Sequence, residues 1–352
     1  MNIGRFNLEK DGVFIIAELS ANHGGDINIA KETILAAKEI GANAIKLQTY
    51  TADTLTLNCD KEDFIISGGT LWDNKKLYDL YEEAHLPWEW HEELFKYARK
   101  IGIDIFSSPF DKTAVDFLET FNPSAYKIAS FEITDYELIR YTASKMRPII
   151  ISTGIATIDE IQSAVDICRE VGNYDIVLLK CTSSYPAPLN DANLTMIPSL
   201  AQTFNVAAGF SDHTIGSTAP IVAVTLGAKV IEKHFILDKS VGGADSEFSM
   251  EKDEFHEMVK AIRETEKLLG KVDYSMTDKK KKSRQFSRSL YLSKDIKKGE
   301  TFTNENIRSV RPGYGMHPKY IQGILGKVSN KDYAFGSQLK INMIGVSGES
   351  NS

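Results

Sequence analysis

Short apolar runs recur through the first two thirds of the chain, and a segment with helical spacing follows most of them. Most runs are rich in Ile, Val and Phe without strict alternation of apolar and polar residues, which is typical of strands covered on both faces. The runs predict eight strands: VFIIAEL, NAIKLQTY, IDIFSSP, SAYKIAS, PIIISTG, DIVLLKCTSS, AAGFSDH and AKVIEKHF.

Helical patterns separate these runs. They include Ile27–Ile40, Trp90–Ile101, Thr157–Val171 and Ser217–Leu226, and Lys252–Leu269 follows the last run. Eight strands that alternate with helices within roughly 250 residues predict a (β/α)8 TIM barrel. A doubly wound open parallel sheet is the rival architecture.

The pattern changes after Gly270. Residues 278–284 are charged and contain no apolar residue, which favours a solvated linker over a binding patch. Short strand-like runs broken by glycine follow and predict a compact, β-rich domain. We therefore expect a barrel domain at 1–275, a linker at 276–285, a small β-rich domain at 286–345 and a disordered tail at 346–352.

Composition narrows the class of protein. Of 352 residues, 42% are hydrophobic, which excludes disorder of the whole chain, and the net charge of −7 argues against a nucleic-acid partner. Three cysteines without a CxxC motif predict neither a disulfide framework nor a cysteine-built zinc site, and they fit a reducing compartment. No signal peptide and no apolar stretch of about 18 residues is present, so we expect a soluble cytoplasmic protein without membrane contact.

Nucleotide-binding motifs and the HExxH and GxSxG motifs are absent, but polar residues crowd the ends of the predicted strands. In a barrel, the active site lies at the carboxyl ends of the strands. The candidates at these ends are Glu18, Lys46, Gln48, Ser108, Lys127, Ser130, Glu132, Ser152, Ser183, Tyr185, Ser211, His213 and His234.

Lys46 and Lys127 stand in otherwise apolar runs. A lysine is expensive to bury without an anion, although a single one often lies along a surface. Two of them beside serine and threonine hydroxyls predict a pocket for a phosphate or a carboxylate. Glu18 also ends an apolar run, and it serves either as an ion-pair partner of Lys46 or as a general acid or base.

His213 and His234 end two adjacent predicted strands. Each alone is typical of a hydrogen-bonded core residue, but together with a nearby carboxylate they suit Mn²⁺, Co²⁺, Zn²⁺ or Fe²⁺. The sequence therefore makes these histidines candidate metal ligands. Other histidines lack such a partner and are interpreted as surface or packing residues: His85, His91, His256 and His317.

Eight motifs in order resemble the sialic acid synthase family: IIAELSANHGG, IKLQTY, FSSPFD, YKIAS-FE, STG, CTSSYP, GFSDHT and IEKHF. The later motifs RSLYLSKDIKKGE and VRPGYG resemble the C-terminal antifreeze-like, or SAF, domain of that family. The resemblance covers about residues 14–344. It implies a TIM barrel with an appended SAF domain and a transferase that condenses phosphoenolpyruvate with an N-acylated aminosugar, giving a nonulosonic acid and phosphate.

The resemblance also implies roles for individual residues. His213 and His234 would bind a divalent metal, usually Mn²⁺, with Mg²⁺ or Co²⁺ as alternatives, and they would be catalytic together with Glu18 and Lys127. Residues implied to hold phosphoenolpyruvate are Lys46, Lys127, Ser130, Ser152, Ser183 and Ser211. Residues expected at the sugar or the reacting centre are Glu18, Gln48, Tyr185 and Asp245, and Ser108 and Glu132 are further expected substrate-binding residues. Some family members have Asn where this chain has Ser183, which leaves the role of that contact open.

Two further features come with the resemblance. Family members look like domain-swapped homodimers, in which Arg311 would reach the sugar of the partner subunit. The segment from Gly69 to His91, with its many aromatic residues, resembles the pseudaminic acid branch, whose sugar is 2,4-diacetamido-2,4,6-trideoxy-L-altrose. These aromatic residues otherwise pack a loop onto the barrel. The alternatives are a synthase of N-acetylneuraminic or legionaminic acid, a metal-dependent aldolase that uses pyruvate, and a non-catalytic sugar-binding protein.

Overall fold

The computed structural model describes residues 1–67 and 72–345, and it divides into two compact units that meet in the chain at Gly270 and Lys271. Two parts of the predictions lie outside the described residues. One is the start of the aromatic segment, Gly69 to Leu71, and the other is the tail at 346–352.

The first unit is a closed parallel barrel. A short antiparallel hairpin, β1 (Asn2–Ile3) and β2 (Phe6–Asn7), precedes it. The eight barrel strands follow in chain order, and the last pairs with the first, so the open-sheet alternative is wrong. They are β3 (Phe14–Glu18), β4 (Ala44–Thr49), β5 (Asp104–Pro109), β6 (Tyr126–Ile128), β7 (Ile149–Ser152), β8 (Ile176–Cys181), β9 (Ala207–Asp212) and β10 (Val230–His234).

Helices connect the strands, and their starts and buried faces follow from the sequence. At the start of α7 (Ile158–Glu170), the Thr157 hydroxyl accepts from the Glu160 backbone N–H, while the Glu160 carboxylate accepts from the Thr157 backbone N–H. The helices of this unit are α1 (Ile27–Glu39), α2 (Ala52–Leu55), α3 (Leu77–Ala84), α4 (His91–Ile101), α5 (Lys112–Glu119), α6 (Tyr136–Ala143), α7 (Ile158–Glu170), α8 (Met196–Phe204), α9 (Thr218–Thr225) and α10 (Lys252–Leu269). In the described part of the chain, none of the helices combines the length and the apolarity that crossing a membrane requires.

The barrel interior changes character along its axis. Inward-facing residues near the start of the strands, such as Phe14, Phe106 and Val177, form an apolar cluster that Ile3 and Leu8 of the N-terminal segment join. Successive residues of a strand point to opposite faces, so every second residue faces inward. Of these inward positions, the ones nearer the strand ends have polar side chains. The apolar lower layer thus supports a polar upper layer.

The second unit has less regular structure than the sequence predicts. Strands β11 (Ser289–Leu292) and β12 (Ile307–Val310) pair antiparallel, and isolated bridges such as Tyr291 with Gln338 supply further pairing. Its apolar core includes Leu290, Phe302 and Leu339. Two short helices, α11 (Asp278–Ser283) and α12 (Ile321–Ile324), complete it, so the predicted linker at 276–285 contains a helix whose residues are all exposed.

Candidate active site

A cavity of about 340 Å³ opens at the carboxyl ends of the barrel strands. Its polar wall comes from consecutive inward positions: Lys46 and Gln48 on β4, and Glu232 and His234 on β10. The register sets Glu18 of β3 beside both neighbouring strands, since it pairs with Lys46 on one side and with His234 on the other. The strand periodicity therefore brings together residues that are far apart in the chain.

A buried cluster of charges lies at the floor of this cavity. Lys46 Nζ lies 2.9 Å from Glu18 Oε1 and 3.0 Å from Glu232 Oε1, and Lys127 Nζ lies 2.9 Å from the same Glu232 oxygen. The Ser211 hydroxyl donates a third hydrogen bond to that oxygen at 3.0 Å. The other oxygen, Glu232 Oε2, is buried without a hydrogen-bond partner in the described chain.

The balance of charge decides how these groups ionise. Burial raises the pKa of Glu232, but the charges of Lys127 and Lys46 outweigh this effect and hold that pKa below its usual range. Burial also opposes the ionisation of Glu18, but the charge of Lys46 outweighs this effect, so the pKa of Glu18 is lowered as well. Burial lowers the pKa of Lys127, and the charge of Lys46 adds to that shift. Lys46 and Lys127 therefore lie side by side at the floor of the cavity, both bound to Glu232 Oε1.

Small hydroxyl side chains converge next to the lysines. Ser183 Oγ donates to Ser130 Oγ at 3.0 Å, and Ser130 Oγ also accepts the Ile155 backbone N–H at 3.2 Å. Gly154 makes this approach possible, because a Cβ there would lie 2.4 Å from Ser183 Oγ and 2.8 Å from Ser130 Oγ. Ser152 Oγ is buried without a partner in the described chain. These groups form a cradle with spare hydrogen-bonding capacity.

The two histidines lie at the rim of the same cavity, with ring centroids 5.4 Å apart. His213 Nδ1 lies 2.9 Å from the Thr182 carbonyl oxygen, which can only accept, so Nδ1 carries the proton and Nε2 keeps its lone pair. Burial and the neighbouring His234 lower the pKa of His213 to about 3, so this ring is neutral at pH 7. Ligand imidazoles in metal sites commonly have this arrangement.

The residues present fit a metal ion that keeps open positions. His234 Nδ1 is buried without a hydrogen-bond partner in the described chain, and Nε2 of the same ring lies 3.4 Å from Glu18 Oε2. Across residues 1–67 and 72–345, His, Cys, Asp and Glu side chains form no group of three or more with the arrangement of a metal site. The donor set for an ion would thus be two imidazoles, completed by substrate or water.

Aromatic rings form the outer wall. The Tyr185 ring centroid lies 4.3 Å from that of His213 and 5.1 Å from that of Phe248, and Trp72 approaches Tyr185 at 6.2 Å. Trp72 also donates from Nε1 to the Ala244 carbonyl oxygen at 3.3 Å. The aromatic segment has two kinds of contact, because Trp72 borders the cavity whereas Trp88 stacks on Phe117.

Most of the predicted site residues border this one cavity. They are Glu18, Lys46, Gln48, Lys127, Ser130, Glu132, Ser152, Tyr185, Ser211, His213, His234 and Asp245. Ser183 joins them through Ser130. Ser108 is buried on β5 but does not border the cavity, and Arg311 follows β12 in the second unit.

Sequence reasoning did not propose Glu232 as a site residue, although it binds both lysines. The signal was present, because Glu232 precedes His234 by two positions and therefore faces the same side of the strand. Ser20 was also missed; it borders the cavity and accepts from Gln48 Nε2 at 2.9 Å. Ser20 follows β3 in a loop, where strand periodicity gives no orientation.

Known proteins resemble this chain in sequence and in architecture. The chain is 56% identical over 340 residues to a pseudaminic acid synthase of Campylobacter jejuni subsp. jejuni serotype O:2. This match covers 97% of this chain and 98% of that protein. It is 52% identical to a pseudaminic acid synthase of Helicobacter pylori, covering 90% and 93% of the two chains. The crystal structure of the spore coat polysaccharide biosynthesis protein spsE from Bacillus subtilis has a TM-score of 0.66 and 35% identity over 99% of each chain.

Family models agree with these likenesses. The SAF domain model matches residues 287–344, as the resemblance predicted for the C-terminal unit. The model of the NeuB family matches residues 33–274, which is more than half of the chain. The chain therefore belongs to the NeuB family.

Proposed function

We propose that this protein is a pseudaminic acid synthase, a transferase that condenses phosphoenolpyruvate with 2,4-diacetamido-2,4,6-trideoxy-L-altrose to give pseudaminic acid and phosphate. The observation that carries the proposal is the identity of 52–56% to pseudaminic acid synthases over at least 90% of the chain. The cavity supports it chemically, because it combines two lysines and several serine hydroxyls with a pair of imidazoles.

The cradle is the proposed binding site for phosphoenolpyruvate. Lys46 and Lys127 supply positive charge, and the hydroxyl donors add hydrogen bonds that oxygen anions accept. The hydroxyl donors are Ser130, Ser152, Ser183 and Ser211. Charged donors that are already ordered in a buried site stabilise developing negative charge without reorganising.

The reaction begins with attack of phosphoenolpyruvate C3 on the aldehyde carbon of the open-chain sugar. His213 and His234 would hold a divalent ion, for which we propose Mn²⁺ with Mg²⁺ or Co²⁺ as alternatives; such an ion polarises a carbonyl oxygen as a Lewis acid. Bond formation leaves positive character at C2, and the Glu18 carboxylate stabilises it. Water then adds at C2 to give a tetrahedral intermediate. The bond between C2 and the bridging oxygen breaks, and this oxygen leaves with the phosphate. Lys46 and Lys127 stabilise the departing phosphate.

The sugar would lie between Gln48, Glu132, Tyr185 and Asp245. We further propose that the protein is a domain-swapped homodimer and that Arg311 of the partner subunit completes the sugar site. A test is to mix inactive Arg311→Ala chains with inactive His213→Ala chains. Recovered activity supports the shared site, because one site of each mixed dimer carries neither change. No recovery despite demonstrated subunit exchange refutes it.

The decisive experiment on function compares three sugars, each with phosphoenolpyruvate: the diacetamido altrose sugar, N-acetylmannosamine and the diacetamido mannose analogue that leads to legionaminic acid. Phosphate release and product mass are measured with the purified full chain. We expect the highest kcat/KM with the altrose sugar. Phosphoenolpyruvate labelled with ¹⁸O in the C–O–P bridge should yield labelled phosphate, since the C–O bond breaks.

Other outcomes assign the protein differently. Preference for another sugar would assign it to the N-acetylneuraminic or legionaminic branch, and binding without phosphate release would make it a sugar-binding protein. The metal is tested separately: removal of ions with a chelator should abolish activity, and Mn²⁺ should restore it. Full activity of His213→Ala after chelation would refute the metal site.

A further inference from the structure

Ser20 has a strained backbone at the mouth of the cavity. Its φ of 48° lies in the left-handed region, and the residue is buried. Residues with a Cβ avoid this region, and Asn tolerates it best. Four of the six non-glycine residues with positive φ in the described chain are Asn, among them Asn205 at φ 50°. A serine in this conformation therefore points to a use for its side chain.

The Ser20 hydroxyl joins two residues of the sugar side of the cavity. It donates to Asp245 Oδ2 and accepts from Gln48 Nε2 at 2.9 Å. The same Gln48 nitrogen donates to Glu18 Oε1 at 2.9 Å, and Asp245 Oδ2 lies 3.7 Å from His234 Nδ1. One hydroxyl uses both its donor and its acceptor capacity here, and it fixes an amide and a carboxylate relative to each other.

We propose that Ser20 is a positioning residue for the sugar: its hydroxyl holds the Asp245 carboxylate and the Gln48 amide in the orientation that receives the polar groups of the aminosugar. This inference rests on the proposed function. Glycine would adopt the same φ without strain but has no hydroxyl, and alanine would keep the strain and lose the hydroxyl. Neither substitution therefore keeps the hydrogen bonds that the Ser20 hydroxyl makes to Asp245 and Gln48.

The two substitutions separate the hydroxyl from the backbone. Ser20→Ala and Ser20→Gly should both raise KM for the sugar about tenfold, in line with the loss of a hydrogen bond to a charged group, and leave KM for phosphoenolpyruvate unchanged. Because only alanine retains the strain, Ser20→Gly should melt above Ser20→Ala by about 2–4 °C. Asn205→Gly is the matched control, since Asn205 has nearly the same φ on the exposed end of α8. It should leave both KM values unchanged.

Three results would overturn the proposal. They are wild-type sugar KM in both Ser20 variants, recovery of wild-type KM in Ser20→Gly alone, and an equal rise of KM for both substrates. The second would mean that the backbone matters and the hydroxyl does not. Each of these results overturns the proposal when the wild type and the Asn205→Gly variant are both active. A wild type that releases no phosphate with any of the three sugars would instead refute the proposed function.

Discussion

Two buried ion-pair clusters lie on opposite faces of strand β10. On the inner face, Glu232 of β10 binds Lys46 and Lys127. On the outer face, Lys233 of β10 binds Asp212 of β9 at 2.5 Å, and both side chains are at most 2% exposed. Consecutive residues of one strand thus take part in clusters that point into the cavity and away from it.

The clusters differ in how completely they are satisfied. Lys233 also donates to the Thr214 carbonyl oxygen at 2.6 Å, and Asp212 accepts the Thr214 backbone N–H at 2.8 Å through its other oxygen. Both oxygens of Asp212 therefore have partners. In the inner cluster, three donors converge on one oxygen of Glu232, whereas its second oxygen has none in the described chain.

This difference indicates that the outer pair is structural and that the inner cluster is functional. The outer pair joins two strands and leaves neither oxygen of Asp212 without a partner. The inner cluster leaves Glu232 Oε2 without a hydrogen-bond partner in the described chain, and buried polar groups without partners are rare enough to need an explanation. We therefore expect changes in the outer pair to affect stability first and changes in the inner cluster to affect catalysis first.

The largest effect is expected in the outer pair. Lys233→Met leaves the Asp212 carboxylate buried without its cation, which should lower the free energy of unfolding by about 3–5 kcal/mol. Chemical denaturation of the purified variant measures the change. The double variant Asp212→Asn/Lys233→Met removes the stranded charge and should recover part of the loss. Lys96→Ala, which breaks an exposed pair with Glu92 on α4, is the control for loss of a lysine. A Lys233→Met protein as stable as that control would contradict the structural role.

The next effect is expected in the inner cluster. Lys127→Met removes a cation from the proposed phosphoenolpyruvate site, and kcat/KM for phosphoenolpyruvate should fall about 10²–10³-fold. Its unfolding free energy should change less than that of Lys233→Met, because Glu232 keeps Lys46 and Ser211 as partners. Steady-state kinetics and denaturation on the same preparation give both numbers. The comparison fails if Lys127→Met loses stability but keeps its kinetics.

The sequence predicted the inner face better than the outer one. Runs rich in Ile and Val located all eight barrel strands, since strands buried on both faces have a strong apolar signal. The polar strand ends located most of the cavity, because a barrel brings these ends together. An ion pair with Lys46 was one of the two roles expected for Glu18, and the structure has Lys46 Nζ 2.9 Å from Glu18 Oε1.

What the sequence could not predict depends on pairing across the fold. Glu232 has two candidate lysines and shares one of them with Glu18, and only the strand register decides this arrangement. The Asp212–Lys233 pair was missed for the same reason. In the described part of the second unit, four isolated bridges accompany the four residue pairs of the β11–β12 ladder, and these bridges join positions that are distant in the chain.

A further carboxylate, that of the partly buried Glu132, has no ion-pair partner in the described chain. Glu132 borders the cavity, and its Oε2 is buried without a hydrogen-bond partner there. Burial raises the pKa of Glu132 from 4.5 to about 7, and Lys127 offsets only part of that rise. Between these two pH values the folded protein holds a proton that the unfolded chain has released. Stability should therefore fall as the pH rises from about 4.5 to 7.

Glu132→Gln should remove this contribution, since glutamine does not titrate. The variant should be on the order of 2–3 kcal/mol more stable relative to wild type at pH 8 than at pH 4, from the size of the pKa rise. Denaturation at several pH values measures the difference between the two curves, so other titrating groups cancel. Glu137→Gln alters an exposed carboxylate of α6 and gives the background. Parallel curves for Glu132→Gln and wild type would mean that Glu132 ionises in the folded protein as it does in the unfolded chain. Lysine charges offset the cost of ionising the buried carboxylates of Glu18 and Glu232. For Glu132, something other than an ion pair would then have to offset that cost.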